Sequence, residues 1–350
     1  MSTPARLGFR MPAEFERHAA TWIAWPHHAP DWPGKLPAVE LVYVEIVRAL
    51  AGSGGERVCI VVPDGRVRAR ARRLLAKAAV PARRVAFFTV PMNRSWIRDF
   101  GPIFVKRSRE IAITDWKFNA WAKYPNWRRD DAVNAWLAPR LGMRRFTAEA
   151  GGRRVVLEGG AIDVNGRGSL LTTEECLLSR KQARNPGLTR EGMEGILAGT
   201  LGAPNVLWLG RGIAGDDTHG HVDDIARFTD PRTIVAAEEP DRRDANHAPL
   251  AENLRRLSRM RDEAGRPFQV LSLPMPARIV YERQRLPASY LNFYIANRSV
   301  LVPTFNDPRD RIALDQLARL FPSREVIGIH AVDLVWGLGT IHCLTQQQPA

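Results

Sequence analysis

Four times along this 350-residue chain a polar turn separates two apolar or alternating runs: GPIFV-KRSRE-IAITD, AIDV-NGRG-SLLTT, DDIARF-TDPR-TIVAAE and LNFYI-ANRS-VLVPTF. Each reads as a β-hairpin. The turns begin at Lys106, Asn165, Thr229 and Ala296, at intervals of 59, 64 and 67 residues. Such a period means a repeated structural unit. After each hairpin comes a helical pattern: DDAVNAWLAPRL, TREGMEGILAGTL, APLAENLRRLSRMRDEA and DPRDRIALDQLARLF, the last capped by Asp307 with Pro308 at its first position. A short apolar strand follows each helix: RRVVLE, NVLWL, FQVLSL and EVIGI. The N-terminal region supplies the same parts in LPAVELVYVEIVRALA, RVCIVV, a helix around Leu74, and RVAFFTV. About five such units fill the chain. An α/β assembly of strand-rich units closed around an axis fits this order better than a doubly wound sheet.

Composition narrows the partners. A chain that is 45% hydrophobic buries a sizeable core. No stretch reaches the roughly 20 apolar residues of a membrane span, and MSTPARLGFRMPAEF lacks the apolar region of a signal peptide. The expectation is a cytoplasmic protein without a membrane partner. Cys59, Cys176 and Cys343 are too few and too scattered for a disulfide framework or a CxxC metal site. Cys59 in RVCIVV reads as a core residue, and Cys176 in TTEECLLS as one packed against a turn. The net charge of +14 raises a nucleic-acid reading, but Lys and Arg gather only mildly, in RVRARARRLLAK and ENLRRLSRMR, where solvated helix faces account for them.

The connections after the short strands read PMNRSWIRDFG, EGG, GRGIAGDDTHGHVDD, PMPARIVYERQRLPASY and HAVDLVWGLGTIHC. All occupy the same place in their repeats. Units arranged radially bring these loops to one end of the axis. Asp99, Glu158, His221, Asp223 and Cys343 then share one pocket. Its acidity in a basic protein suits a small cation, because near groups outweigh distant, screened ones. A planar guanidinium fits best: carboxylates grip it bidentately and the indole of Trp96 stacks on it. Cys343 supplies a nucleophile and His221 a general acid and base. The alternation of Ile341, Cys343 and Thr345 predicts a final strand, with His342 on the opposite face from the thiol.

Five stretches carry a resemblance: MPAEFERHAATWIAWP near the start, WIRDFGP at 96–102, LEGGAIDVNGRGSLLTTEECLLS at 157–179, GDDTHGHVDDIARF at 215–228 and IHCLTQQQP at 341–349. In this order they resemble the agmatine deiminases and bacterial-type peptidylarginine deiminases of the guanidine-modifying (pentein) superfamily. The resemblance implies a five-bladed α/β propeller, a single catalytic domain over 1–350, and cofactor-free hydrolysis of a guanidinium to a ureido group with release of ammonia. It implies Cys343 as nucleophile through a covalent amidino-cysteine intermediate and His221 as proton donor and then base. Glu158 would orient substrate and His221, while Asp99 and Asp223 hold the guanidinium nitrogens. The substrate this points to is agmatine, or else peptidylarginine or another guanidine, and a homodimer is an allowed assembly. Where the family commonly reads GGGN before the nucleophile, this chain reads GLGT, with Leu338 and Thr340; His219 stands where Asp is frequent; and Asn93-Arg94 replace an acidic residue before Trp96.

Two readings from other classes compete. His219, His221 and Asp223 on one strand form a candidate metal set for an amidohydrolase. A basic scaffold for nucleic acid is the other, and it gives Cys343 no part.

Overall fold

The computed structural model describes residues 2–52 and 54–350. Five of its sheets have three or more strands. Four repeat one plan: an antiparallel pair, then a helical crossover to a third strand parallel to the second. They are Ile103–Arg107, Glu110–Asp115 and Arg144–Thr147; Asp163–Val164, Ser169–Thr173 and Asn205–Leu209; Ala226–Asp230, Thr233–Glu238 and Gln269–Pro274; and Tyr294–Ile295, Ser299–Thr304 and Glu325–His330. The fifth sheet joins the two ends of the chain. Thr345–Pro349 pairs antiparallel with His18–Ala24, which carries Val58–Val62 and then Val85–Thr89 in parallel. The mixed α/β fold thus consists of five like units, the fifth extended by one strand.

Burial explains the pattern. The middle strands VCIVV and SLLTT are buried throughout, as parallel strands covered on both faces must be. Outer helices need only a stripe: His247–Arg259 buries Leu250, Asn253 and Leu257, and Arg309–Leu320 buries Ala313 and Leu317. The Arg-rich helix Gly65–Lys77 buries only Ala71 and Leu75, so its arginines face solvent. Asp64 caps it, accepting the backbone N–H groups of Arg66 and Val67 at 2.8 Å.

Three expectations require correction. The third strand of the first repeat is Arg144–Thr147, not RRVVLE, in which Arg153–Arg154 forms a two-residue hairpin with Glu149–Ala150. The linker expected as a plain loop holds a small hairpin, Val280–Tyr281 with Gln284–Arg285. Finally, the last strand begins at Thr345, and Cys343 sits in the turn before it.

At the centre of the five units lies Glu14, almost wholly buried. Its Oε1 accepts from Arg227 (2.8 Å) and the Ile295 N–H (2.8 Å), and its Oε2 accepts from Arg98 (3.0 Å) and meets His342 Nε2 at 2.9 Å. Arg227 also reaches the Phe293 carbonyl at 2.7 Å and Asp163 at 3.3 Å, and Arg98 reaches Gln347 at 2.7 Å. These partners belong to four of the five units and to three of the linkers between them. Burial alone would raise the Glu14 pKa, but Arg227, His342 and Arg98 hold it well below the ordinary value. Its stabilisation is therefore present above the unfolded carboxyl's pKa and is lost as pH falls toward the depressed folded one.

Glu14→Gln, which keeps the shape and removes the charge, is expected to cost on the order of 3–5 kcal/mol in denaturant unfolding, because it leaves buried guanidinium charge uncompensated. Loss of the exposed Arg10–Glu16 pair through Glu16→Gln should cost about 1 kcal/mol or less.

Candidate active site

Each of the five linkers between sheets delivers a polar group to one place. In the first, the short helix Ile97–Phe100 presents Asp99, whose Oδ2 accepts the Trp121 indole N–H at 2.8 Å and whose Oδ1 accepts the Gly160 N–H at 3.1 Å. The second brings Glu158, with Oε1 accepting from Arg184 Nε at 2.9 Å. Gly160 beside it has no room for a side chain: a Cβ there would lie 2.5 Å from His221 Nδ1, 2.9 Å from Asp99 Oδ1 and 3.1 Å from Asp223 Oδ2. Three of the sequence-predicted groups thus surround a single point. The third linker is braced internally, Asp216 accepting the N–H groups of Thr218, Gly220 and His221. Gly220 turns at φ 93°, and His221 then enters a 3-10 turn carrying Asp223 and Asp224.

The fifth linker brings Cys343, and the fourth holds it through a residue the sequence reading passed over. Asn292 Nδ2 approaches Cys343 Sγ at 3.1 Å and donates to Asp224 at 3.0 Å. Its Oδ1 accepts from the Thr340 hydroxyl at 2.8 Å and the His342 N–H at 3.0 Å. A lone amide in the apolar run LNFYI was the available signal. Thr340 of GLGT is thereby explained as a donor to Asn292. Leu338 takes a left-handed φ of 66°, at a cost of about 1–2 kcal/mol over glycine, and its side chain lines the cavity. Gly339 remains obligatory, since a Cβ would stand 2.9 Å from Trp96 and 3.1 Å from the Cys343 Cβ.

His342 is closer to the thiol's chemistry than its predicted opposite face implied. Its Nδ1 meets Asp223 Oδ2 at 2.7 Å, the same oxygen that Cys343 Sγ approaches at 3.8 Å. A buried line therefore runs from Glu14 through His342 and Asp223 to the thiol.

The electrostatics are strongly biased. Burial, then Asp223, Asp224 and Asp99, push the Cys343 pKa well above the ordinary thiol value. Burial raises Asp99 to about 6, with His221 opposing and Asp223 and Glu158 adding to the rise. For Glu158, Arg184 and His221 overcome burial and bring the carboxyl down to about 2. His221 is raised well above its usual value: burial disfavours its charge, but Asp99, Cys176 and Glu158 favour it more. Both imidazole nitrogens, Glu158 Oε2 and Asp223 Oδ1 are buried with no hydrogen-bond partner among the described residues. His221 stands 3.8 Å from both Asp99 and Glu158.

Above these groups opens a cavity of about 410 Å³, reaching from Asp99 and Cys343 past Trp96 to Arg94, Asp217 and Glu282. Arg94 does not aim a free charge into it: Asp31 binds it at 2.6 Å and its guanidinium lies 4.3 Å over the Tyr124 ring. The amidohydrolase set is not assembled. His219 turns away to Ser179 at 3.2 Å and Glu175, while His221 and Asp223 stay inside.

The chain matches the Porphyromonas-type peptidyl-arginine deiminase family over residues 10–349. It belongs to that family. Among its relatives in the deiminase family, the agmatine deiminase of Ectopseudomonas mendocina is 34% identical, covering 100% of this chain and 98% of its own. The structure of the agmatine deiminase of Enterococcus faecalis superposes with a TM-score of 0.90 at 34% identity, covering 100% of this chain and 98% of that one. A cysteine-to-serine variant of the C. jejuni agmatine deiminase with substrate bound gives a TM-score of 0.85 at 29% identity, over 98% and 96% of the two chains.

Because its thiol is buried among carboxylates, this deiminase-family protein should react slowly with iodoacetamide at neutral pH, faster as pH rises toward the elevated thiol pKa. Asp223→Asn should speed alkylation of Cys343 about tenfold per unit by which it lowers that pKa, read site by site by mass spectrometry.

Proposed function

We propose that the chain is a single catalytic domain over 1–350 that hydrolyses the guanidinium of agmatine, giving N-carbamoylputrescine and ammonia. The observation that carries this is the base of the cavity, where Asp99 and Cys343 line the wall and, buried next to them but outside the lining, carboxylate oxygens of Glu158 and Asp223 stand without donors among the described residues. An N–H-rich planar cation meets those acceptors; an anion or neutral ligand does not. The activities named for the relatives, and substrate bound to a relative whose cysteine is changed to serine, support the same reading.

In this scheme Asp99 and Asp223 grip the guanidinium and Trp96 walls its plane. The bound cation supplies the positive charge that Cys343 lacks, so the thiol loses its proton to solvent on binding. The thiolate attacks the guanidinium carbon, forming a C–S bond. His221, as imidazolium, protonates one nitrogen, which leaves as ammonia and gives the amidino-cysteine cation. Water then attacks the same carbon, passing a proton to His221; the C–S bond breaks, thiolate returns, and the ureido product leaves after losing a proton. Glu158, fixed by Arg184, keeps its charge against His221 throughout.

The mouth favours agmatine over arginine. Arg94 is the one arginine of the lining and is already paired with Asp31; Asp217 is likewise paired with Lys123, and the exposed Glu282 adds negative charge there. Arg285, next to the lining residue Gln284, is bound to Asp244 at 2.7 Å. Cytoplasmic, cofactor-free action, alone or as a homodimer, belongs to the same proposal; no helix among the described residues is long and apolar enough to cross a membrane.

Ammonia release measured across agmatine, arginine, peptidylarginine and methylated guanidines should be highest for agmatine and absent in Cys343→Ser. Undiminished activity of that variant would overturn the thiol mechanism. Activity should also fall as pH drops through about 6, where Asp99 takes up a proton and loses its hold on the cation. A Cys343 pKa unchanged by an unreactive cationic analogue would contradict activation by substrate charge.

A further inference from the structure

Close to Glu158 and His221 lies a third group that the proposed reaction does not use. Cys176, in the short helix Glu174–Leu177 after strand Ser169–Thr173, is almost wholly buried. One ligand atom each from Glu158, Cys176 and His221 lies within 4.8 Å of the others, the single such convergence of His, Cys, Asp and Glu among the described residues.

We propose that Glu158, Cys176 and His221 form a binding site for a thiophilic divalent cation, Zn²⁺ above all, distinct from the nucleophile Cys343, and that filling it withdraws His221 from catalysis. The donor set is one thiolate, one imidazole and one carboxylate, a three-ligand arrangement that leaves a fourth position for water. Tetrahedral Zn²⁺, with bonds of about 2.0–2.3 Å, wants its ligand atoms about 3.3–3.7 Å apart. His221 Nε2 and Glu158 Oε2 are already 3.8 Å apart, and with all three ligand atoms within 4.8 Å of one another, closure needs side-chain shifts of about 1 Å or less. Those same two atoms are buried and without hydrogen-bond partners, whereas the other Glu158 oxygen is taken by Arg184. Glu158 Oε2, and the imidazole once it has lost its proton, are thus open to a ligand shared with the sulfur. Binding releases the Cys176 thiol proton and the imidazolium proton of His221 to solvent, and the thiolate and carboxylate together neutralise the dication. The way in passes Asp99, whose carboxylate faces the cavity and offers a cation its first contact.

Metal binding here stands independently of the deiminase reading; only the loss of activity rests on it. The test is titration of metal-free protein with Co²⁺ and Zn²⁺, using wild type, Cys343→Ser and Cys176→Ser. The expected result is one-to-one Zn²⁺ binding and a sulfur-to-cobalt charge-transfer band that persist in Cys343→Ser. Cys176→Ser should lose the band and weaken Zn²⁺ at least tenfold with an unchanged circular-dichroism spectrum. One equivalent of Zn²⁺ should also reduce wild-type ammonia release at least tenfold, with recovery on adding EDTA. Loss of the band in Cys343→Ser, its persistence in Cys176→Ser, or no stoichiometric Zn²⁺ binding overturns the site. Should Cys176→Ser not fold, the zinc X-ray absorption edge of Cys343→Ser decides, since a first shell without sulfur there overturns it too. Failure of metal-free protein to release ammonia counts against the deiminase reading alone.

Discussion

A single carboxylate, Glu14, holds this architecture together. Arg98, Arg227 and His342 converge on it from three parts of the chain, and buried groups of this kind need a carboxylate partner. Glu14 accepts from two arginines and one main-chain N–H and meets the ring of His342, and those partners reach the other units in turn. Such a cluster is stable only when complete, since desolvation of each charge is offset by its neighbours and by little else. Completeness also fixes geometry. Arg98 is next to Asp99, and His342 is next to Cys343, so the residues that neutralise Glu14 place the residues that line the cavity.

The cavity floor follows the opposite logic. Where the hub is satisfied, the floor is left with acceptors that lack donors and a thiol whose ionised form its surroundings oppose. Unmet demand of this kind is costly in a resting protein and is tolerated where a ligand supplies what is missing. The two regions share Asp223, whose Oδ2 meets His342 Nδ1 and lies 3.8 Å from the Cys343 thiol, while its Oδ1 is buried without a partner among the described residues. Rigidity behind and unsatisfied acceptors in front are two faces of one residue.

Much of this was legible in the sequence because hairpin turns carry local chemistry: ANRS and NGRG announce themselves whatever the tertiary context. The repeat spacing followed from them, and with it the convergence of Asp99, Glu158, His221, Asp223 and Cys343. Misreadings occurred where the local signal was weak or double. RRFT is four residues, mostly exposed, and lost to the more apolar RRVVLE beside it. The alternation of Ile341, Cys343 and Thr345 fits a strand, yet Asn292 holds residues 340–343 in a turn by bonds from another unit. Asn292 itself, and Cys176, look like ordinary interior residues until their neighbours are known, for what distinguishes them is distance in space to residues far away in sequence. Leu338 shows a different limit: its left-handed backbone lies between two glycines packed against Trp32 and Trp96, a setting that no short window reveals.

The fifth sheet has a consequence for how the protein comes into being. Its closing pair sets Trp22 against Gln346, so this ladder forms only after nearly the whole chain is available, and it closes a loop whose entropy is high. Cys343 lies just before that strand, in a turn held by bonds to the fourth linker. Until the ring shuts, the thiol has neither its acidic neighbours nor its cavity. A half-made or partly opened molecule therefore carries an ordinary cysteine, and reactivity toward guanidines arrives together with the last hydrogen bonds of folding.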